Sequence, residues 1–432
     1  MTTTNEARGR PLSYFESTLQ LATERYYSAT ICCWAMGTGP VDIDQVRSAL
    51  QVLHARHPLL RARIEGEPGT YRFLIDVPFG NIPVHEITLA EGEDINSVLE
   101  PLMDEHFPSG QRTWGARFVR SGTSGRWWLL LQTHHAITDG RSAYCLLDQC
   151  GQLLGAMASG DPIDPAPLEL PEPIEHQMDP PGTLEHWNRT GERWSDRIGT
   201  ISHWPADGAA DFEDRHCHNT FSDHDPDFSR RLLDRCHAAG TTVQGALASA
   251  VARGIAAYLD HAIDIDTFTP VDLRRFAAVD IDPHEIACKI TCLDTGSFNI
   301  SSESDPWDVA RNYTSALNRQ LDEKPYPPAD FRSKDVIAGS TGFLGTGNRF
   351  GHGFCLTNTG RLHMDGDYGP IQFELVDVTA TVRFGGFPVL QSVYTFRDRL
   401  RCTYTWPEPL LSRPHALELT REVESHLQSM VD

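Results

Sequence analysis

The chain has 432 residues, more than one ordinary hydrophobic core accommodates, and this length predicts two domains or one duplicated architecture. Its 37 basic and 59 acidic side chains give a net charge of -22, which argues against nucleic acid and anionic membrane surfaces as partners. Apolar residues make up 40% of the sequence, as in a globular protein rather than a disordered one.

The ten cysteines are spread along the chain, and no apolar stretch is long enough to span a bilayer. The first residues contain neither the basic start nor the apolar core of a secretion signal, so we expect reduced thiols in a cytoplasmic protein. Cysteine and histidine residues cluster at Cys288 and Cys292 and at residues 216–224, but without the paired spacing of a structural zinc site. We therefore predict no metal centre.

The first part of the chain alternates predicted helices and strands. An apolar stripe at helical spacing after Asp44 predicts a helix that this residue caps. Strands are predicted at residues 71–75 and 116–120. The near-continuous apolar run at residues 127–133 is typical of a strand buried on both faces. Helical spacing returns after Gly140.

A segment rich in proline and acidic residues at 161–181 interrupts this pattern, and polar, irregular sequence follows it. The composition predicts a connection between two domains. We place the first domain at residues 1–175, the connecting segment at 176–227 and the second domain at 228–432. Both domains mix helices and strands, so the predicted fold class is α/β or α+β.

The second domain begins with a long predicted helix that Thr242 caps. Alternating sequence predicts strands at residues 379–384 and 389–396. The second of these is expected to form a hairpin with residues 401–406. A last amphipathic helix begins near Ser412.

Residues 134–140 read His-His-Ala-Ile-Thr-Asp-Gly and follow directly after the buried strand. A strand end is where a packed scaffold presents a side chain into a cleft. A neutral imidazole accepts a proton near neutral pH, so one of the two histidines is a candidate general base. Two adjacent histidines by themselves are more often structural, and residue types alone leave both interpretations open.

The complete string resembles the His-His-x-x-x-Asp-Gly signature of the superfamily of chloramphenicol acetyltransferase, nonribosomal peptide synthetase condensation domains and polyketide-associated acyltransferases. Four more stretches resemble family segments in the expected order, at residues 56–63, 242–258, 270–274 and 356–361. The resemblance covers most of the chain. It implies two chloramphenicol acetyltransferase-like subdomains that form a pseudo-dimer with the signature at the centre of a tunnel.

The resemblance also implies a role for each residue of the signature. His135 is the general base, and His134 supports its loop. Asp139 is the structural partner of Arg274, and Gly140 leaves room for the tunnel.

Asn358 and Gly360 lie in a stretch similar to the Ser-Asn-x-Gly segment of free-standing members, which makes them candidate site-lining residues. The Asp-Phe-Gly-Trp-Gly motif of many condensation and plant acyltransferase relatives is absent. This departure favours the free-standing polyketide-associated type and leaves the donor preference open.

The implied reaction moves an acyl group from a thioester donor, an acyl-coenzyme A or a phosphopantetheine-linked acyl or peptidyl carrier protein, to a hydroxyl or amine of a small acceptor. We expect a monomer in secondary or lipid metabolism, without a permanently bound cofactor. Two alternatives remain: a condensation enzyme restricted to carrier-bound substrates, and an inactive condensation-like docking module. Serine hydrolase, zinc protease and phosphate-loop motifs are absent, and the glycine-rich residues 345–351 lack the strand and helix of a nucleotide fingerprint.

Overall fold

The computed structural model describes residues 9–107, 110–122, 125–163, 165–187, 204–324, 326–328, 334, 347–350 and 353–432. The helices with bounds in this part of the chain are α1 Tyr14–Tyr26, α2 Ile43–Arg56, α3 Asn96–Asp104, α4 Gly140–Ser159, α5 Pro226–Ala238, α6 Val243–Leu259, α7 Pro306–Asp322 and α8 Arg413–Ser429.

The strands are β1 Gly9–Pro11, β2 Thr30–Thr38, β3 Ala62–Glu65, β4 Arg72–Ile75, β5 Val84–Leu89, β6 Trp114–Ser121, β7 Trp127–His134, β8 His216–His224, β9 Ile263–Asp272, β10 Ile290–Ile300, β11 Phe354–Arg361, β12 Asp367–Tyr368, β13 Ile371–Ala380, β14 Leu390–Phe396 and β15 Arg399–Glu408. The mixture of helices and strands confirms the predicted α/β class.

The first six-stranded sheet has the order β12-β13-β2-β7-β6-β5. Strand β7 lies inside it, and its leucines are buried on both faces as the apolar run predicts. Leu129 and Leu131 pack in a core with residues of α2 and α4, whereas Leu130 packs in a second cluster with residues of α1 and α3. This two-sided packing fixes the strand end that carries the two histidines.

The second six-stranded sheet has the order β10-β9-β11-β14-β15-β8. Its core is shared with α5, α6 and α8, and Thr242 caps α6 as predicted. The predicted hairpin is confirmed as β14 and β15, which pair antiparallel. Strand β11 is parallel to both of its neighbours, β9 and β14.

Two strands from the end of the sequence lie in the first sheet. β13 pairs antiparallel with β2, and β12 extends the same edge. The chain then crosses between the sheets through residues 381–389, which we call the crossing loop. The predicted strand at 379–384 is therefore wrong beyond Ala380, where β13 ends. The Thr381 amide still donates a hydrogen bond to the Thr30 carbonyl, and after it the chain leaves the sheet.

Other predictions need correction. The first predicted helix starts at Ile43 with Asp42 as its cap, because Asp42 forms a capping box with Gln45. The segment predicted as an irregular connection contains β8, the edge strand of the second sheet. The domain boundaries at 175 and 227 remain a prediction, and residues 188–203 of this connection, like residues 345, 346 and 351, lie outside the described part.

No helix in the described ranges combines the length and apolar character that crossing a membrane requires.

A buried ion pair joins the two sheets. Asp377 of β13 lies 3.1 Å from Arg401 of β15, and each side chain is only 3% exposed.

We expect Asp377→Asn to lower the free energy of unfolding by about 3–5 kcal/mol, because it leaves the Arg401 cation buried without its anion. Urea unfolding measures this change. The matched control is Asp398→Asn, because the Asp398–Arg361 pair is about 65% exposed, and it should cost less than about 1 kcal/mol. Equal costs for the two variants would contradict the prediction.

Candidate active site

The motif forms the turn between β7 and α4. Asp139 is the N-cap of α4, and its carboxylate accepts a hydrogen bond of 2.8 Å from the Ser142 amide. The resemblance gave Asp139 a structural role as the partner of Arg274 but did not indicate this cap. Since the cap holds the first turn of α4, the same carboxylate fixes the end of the loop that begins at His135.

His135 is partly exposed to a cavity, and its ring has a defined orientation. Its backbone amide donates to the Ala29 carbonyl at 2.8 Å. Its Nδ1 lies 2.9 Å from the Thr138 carbonyl oxygen and 3.8 Å from the Cys288 sulfur. A carbonyl only accepts hydrogen bonds, so in the neutral ring Nδ1 carries the proton and Nε2 is the basic nitrogen. Burial lowers the pKa of His135, which keeps the ring neutral near pH 7.

His134 points the other way and is buried. Its Nε2 lies 3.1 Å from the Thr23 hydroxyl of α1, and its Nδ1 accepts from the Ala136 amide at 3.0 Å. Burial lowers its pKa to about 3. The ring therefore ties the turn to α1 and stays uncharged at physiological pH.

Arg274, just after β9, lies 2.7 Å from the Asp139 carboxylate, and both side chains are almost fully buried. The Lys289 amide donates to the same carboxylate oxygen at 2.9 Å. Arg274 also donates to the Ser142 hydroxyl at 2.9 Å and the Ala287 carbonyl at 3.0 Å. Burial by itself would raise the pKa of Asp139, but Arg274 and the amide donors hold it below its usual range.

Of the other predicted site residues, Gly140 and Asn358 line the cavity, and Gly360 is not among its described lining residues. A Cβ on Gly140 would approach the Thr359 methyl group to 3.5 Å. The Gly360 φ of +75° permits the bend that lets its amide donate to the Asn358 side chain at 2.9 Å.

The cavity has a volume of about 270 Å³ and is lined by residues of both six-stranded sheets. It brings together His135, Asp139, Gly140, Arg274 and Asn358, which are far apart in the sequence. The sequence analysis missed two contributors, the α1 side chains and the phenylalanines of the crossing loop. No periodic pattern marks them, because they reach the cavity only through packing between elements.

One cluster with metal-ligand geometry occurs among the described residues, and sequence spacing missed it. The donor atoms of His224, Cys402 and Glu424 lie within 4.8 Å of one another. His224 already lies 3.1 Å from Glu424, which also accepts from the hydroxyls of Ser222 and Tyr404. His224 and Glu424 thus already have polar partners within the protein. All ten cysteines are free thiols.

Comparison with known proteins identifies the family of the chain. Residues 14–261 match the model of the condensation domain family. A nonribosomal peptide synthetase of Penicillium thymicola is 26% identical over 141 residues, which are 32% of this chain and 5% of the synthetase. The chain thus spans a small fraction of the length of this curated relative.

Two solved structures share the fold across the whole chain. Trichothecene 15-O-acetyltransferase from Fusarium sporotrichioides has a TM-score of 0.78 at 11% identity, with 100% of this chain and 97% of that chain covered. Polyketide synthase associated protein 5 from Mycobacterium tuberculosis has a TM-score of 0.69 at 16% identity, with 99% and 98% covered. The chain belongs to the condensation domain family, and these two structures share its fold.

The Asp139–Arg274 pair should be essential for stability. Arg274→Ala leaves a buried carboxylate without its cation, and we expect the free energy of unfolding to fall by about 3–5 kcal/mol in urea denaturation. Arg141→Ala is the matched control, because Arg141 pairs with Asp272 at a half-exposed position and its loss should cost less than about 1 kcal/mol. A mild effect of Arg274→Ala would show that the amide donors suffice for Asp139.

Proposed function

We propose that the protein is an acyltransferase in which His135 acts as general base, moving an acyl group from a thioester to a hydroxyl or amine of a small acceptor. The observation that carries the proposal is the contact between His135 Nδ1 and the Thr138 carbonyl, on a ring that borders the cavity. The contact assigns the basic lone pair to Nε2. Because burial disfavours the protonated ring, that lone pair is available near neutral pH.

The proposed step needs no covalent enzyme intermediate. Nε2 of His135 takes the proton from the acceptor's oxygen or nitrogen while that atom attacks the thioester carbonyl carbon. The tetrahedral intermediate collapses, the carbon–sulfur bond breaks, and the proton passes from His135 to the departing thiolate. Asp139 and Arg274 position the turn and do not contact the reacting atoms, and the proposal requires no bound cofactor.

The donor is a coenzyme A thioester or a carrier-bound one, and the two give the same chemistry at His135. The name of the Fusarium relative specifies transfer to oxygen, which favours a hydroxyl acceptor. The Penicillium relative is a peptide synthetase, which favours the alternative of a condensation enzyme restricted to carrier-bound substrates. The intact pair of histidines and Asp139 argues against the inactive docking module.

Replacement of the base tests the proposal. We expect His135→Ala to lower thiol release by about 10²–10⁴-fold, the usual contribution of a general base. Thiol release is measured with a panel of acyl-coenzyme A donors and of acyl carrier proteins, each with an added alcohol or amine. His284→Ala is a control, because His284 is an exposed histidine that does not line the cavity. Wild-type activity in His135→Ala would overturn the assignment of the base.

The pH dependence follows from the lowered pKa of His135. Because the folded protein disfavours the protonated ring, the neutral base persists below the ordinary histidine pKa of about 6.5. We expect kcat/KM to stay level as pH falls from neutral to about 6.5 and to decline only at lower pH. The residual rate of His135→Ala should lack this acidic decline. A decline that is already complete above about pH 6.5 would contradict a buried neutral base.

A further inference from the structure

The cavity changes character along its length. Alternate residues of β9 that line it run from Phe268 through Pro270 to Asp272, a distance of about 13 Å at the usual rise per residue of a strand. One end of this row is an aromatic ring and the other a carboxylate. The cavity therefore has an apolar end and a charged end.

The neighbouring strands show the same direction of change. Phe268 pairs with Cys355 of β11, which pairs with Leu390 of β14, so these three side chains form one row across the sheet at the apolar end. Two residues further along β11 and β14, the lining side chains are Thr357 and Ser392, which also pair with each other.

All charged side chains among the described lining residues are at the other end. They are Asp139, Arg141, Asp272 and Arg274, and each forms an ion pair with another of the four. His135 lies between the two ends. On one side it is close to Asp139 in the turn. On the other, its amide donates a hydrogen bond to the carbonyl of Ala29, which belongs to the same buried cluster as Cys355 and Leu390.

The crossing loop supplies a further aromatic wall. Phe384 and Phe387 are 8% and 3% exposed, and their rings pack edge to face with centroids 5.2 Å apart. The Phe387 ring also packs 6.0 Å from that of Phe268. Three aromatic rings from two segments of the chain are thus contiguous at the apolar end.

We propose that this apolar end binds the hydrocarbon part of the acyl group, and that Phe387 limits its length. The inference rests on the proposed function, since it assigns the acyl donor to one end of the same cavity. The crossing loop thereby becomes the specificity-determining segment.

An acyl chain suits this end better than a polar acceptor. The threonine hydroxyls there are already paired within the protein, Thr379 with Thr405 and Thr381 with the Thr30 amide. A bound hydroxyl or amine would lose its hydrogen bonds to water without replacement, whereas a hydrocarbon chain loses none. An acyl chain also has a free terminus, which can end against a wall of rings.

Two variants test the inference in opposite directions. Phe387→Ala removes a ring from the wall, and Ala380→Leu adds bulk to a partly buried position that also lines the cavity. The donors are acetyl-, butanoyl-, hexanoyl-, octanoyl- and decanoyl-coenzyme A with one fixed acceptor. We expect Phe387→Ala to shift the ratio of kcat/KM values by about tenfold or more towards longer chains, and Ala380→Leu to shift it towards shorter ones.

Phe298→Ala is the matched control, because Phe298 is 56% exposed and does not line the cavity, and it should keep the wild-type preference. Phe387→Leu replaces Phe387→Ala if circular dichroism shows that the alanine variant does not fold. Unchanged chain-length preference in both cavity variants, with normal turnover, would overturn the inference while leaving the acyltransferase proposal intact.

Donor binding separates the two proposals. Calorimetry on the His135→Ala protein measures the affinity for each acyl-coenzyme A without turnover. We expect the affinity to rise about fourfold per methylene group until the chain reaches the wall, and to continue rising in His135→Ala/Phe387→Ala. Chain-dependent binding, without transfer by the wild type from any coenzyme A or carrier-protein donor, would support the apolar site and reject the proposed reaction. Binding that is independent of chain length would reject the apolar site.

Discussion

The site depends on one buried carboxylate. Asp139 caps α4, accepts the Lys289 amide and pairs with Arg274, so a single group joins the turn after β7 to the segment after β9. A buried carboxylate is costly unless its charge and lone pairs are all satisfied, and here the partners come from both halves of the chain. The turn that holds His135 is therefore complete only when the two halves are packed together.

The same packing sets the chemistry of the histidines. Burial lowers the pKa of both rings, but their hydrogen bonds give them different roles. His134 uses both nitrogens within the protein, with Thr23 and the Ala136 amide. His135 uses only Nδ1, towards the Thr138 carbonyl, which leaves Nε2 for the proposed proton transfer. A one-residue difference where β7 ends thus separates a structural histidine from a candidate base, because successive residues of an extended chain point to opposite sides.

Both sheets and the crossing loop between them contribute residues to the cavity wall. β13 belongs to the first sheet, and the following loop carries Phe384 and Phe387 to the cavity, where Phe387 packs against Phe268 of β9 in the second sheet. The Asp377–Arg401 pair holds this crossing in place. The Asp377–Arg401 pair and the phenylalanines proposed to select the donor therefore lie on or next to the same short stretch of chain, which is outside the motif.

The sequence by itself determined the α/β class, the buried strand β7, the helix that Thr242 caps and the terminal hairpin, because these follow from local periodicity and capping. It also indicated, through resemblance, the signature residues and the pairing of Asp139 with Arg274, and their roles remain predictions. Only the tertiary structure decided that β13 belongs to the first sheet, that Asp139 caps α4 and that the crossing loop lines the cavity. The places of β13 and of the crossing loop depend on contacts between residues more than 100 positions apart, such as the hydrogen bond from the Ser28 hydroxyl to the Thr381 carbonyl, and no local pattern encodes such contacts. The cap is a local contact, but the sequence does not show that the Asp139 carboxylate faces the Ser142 amide.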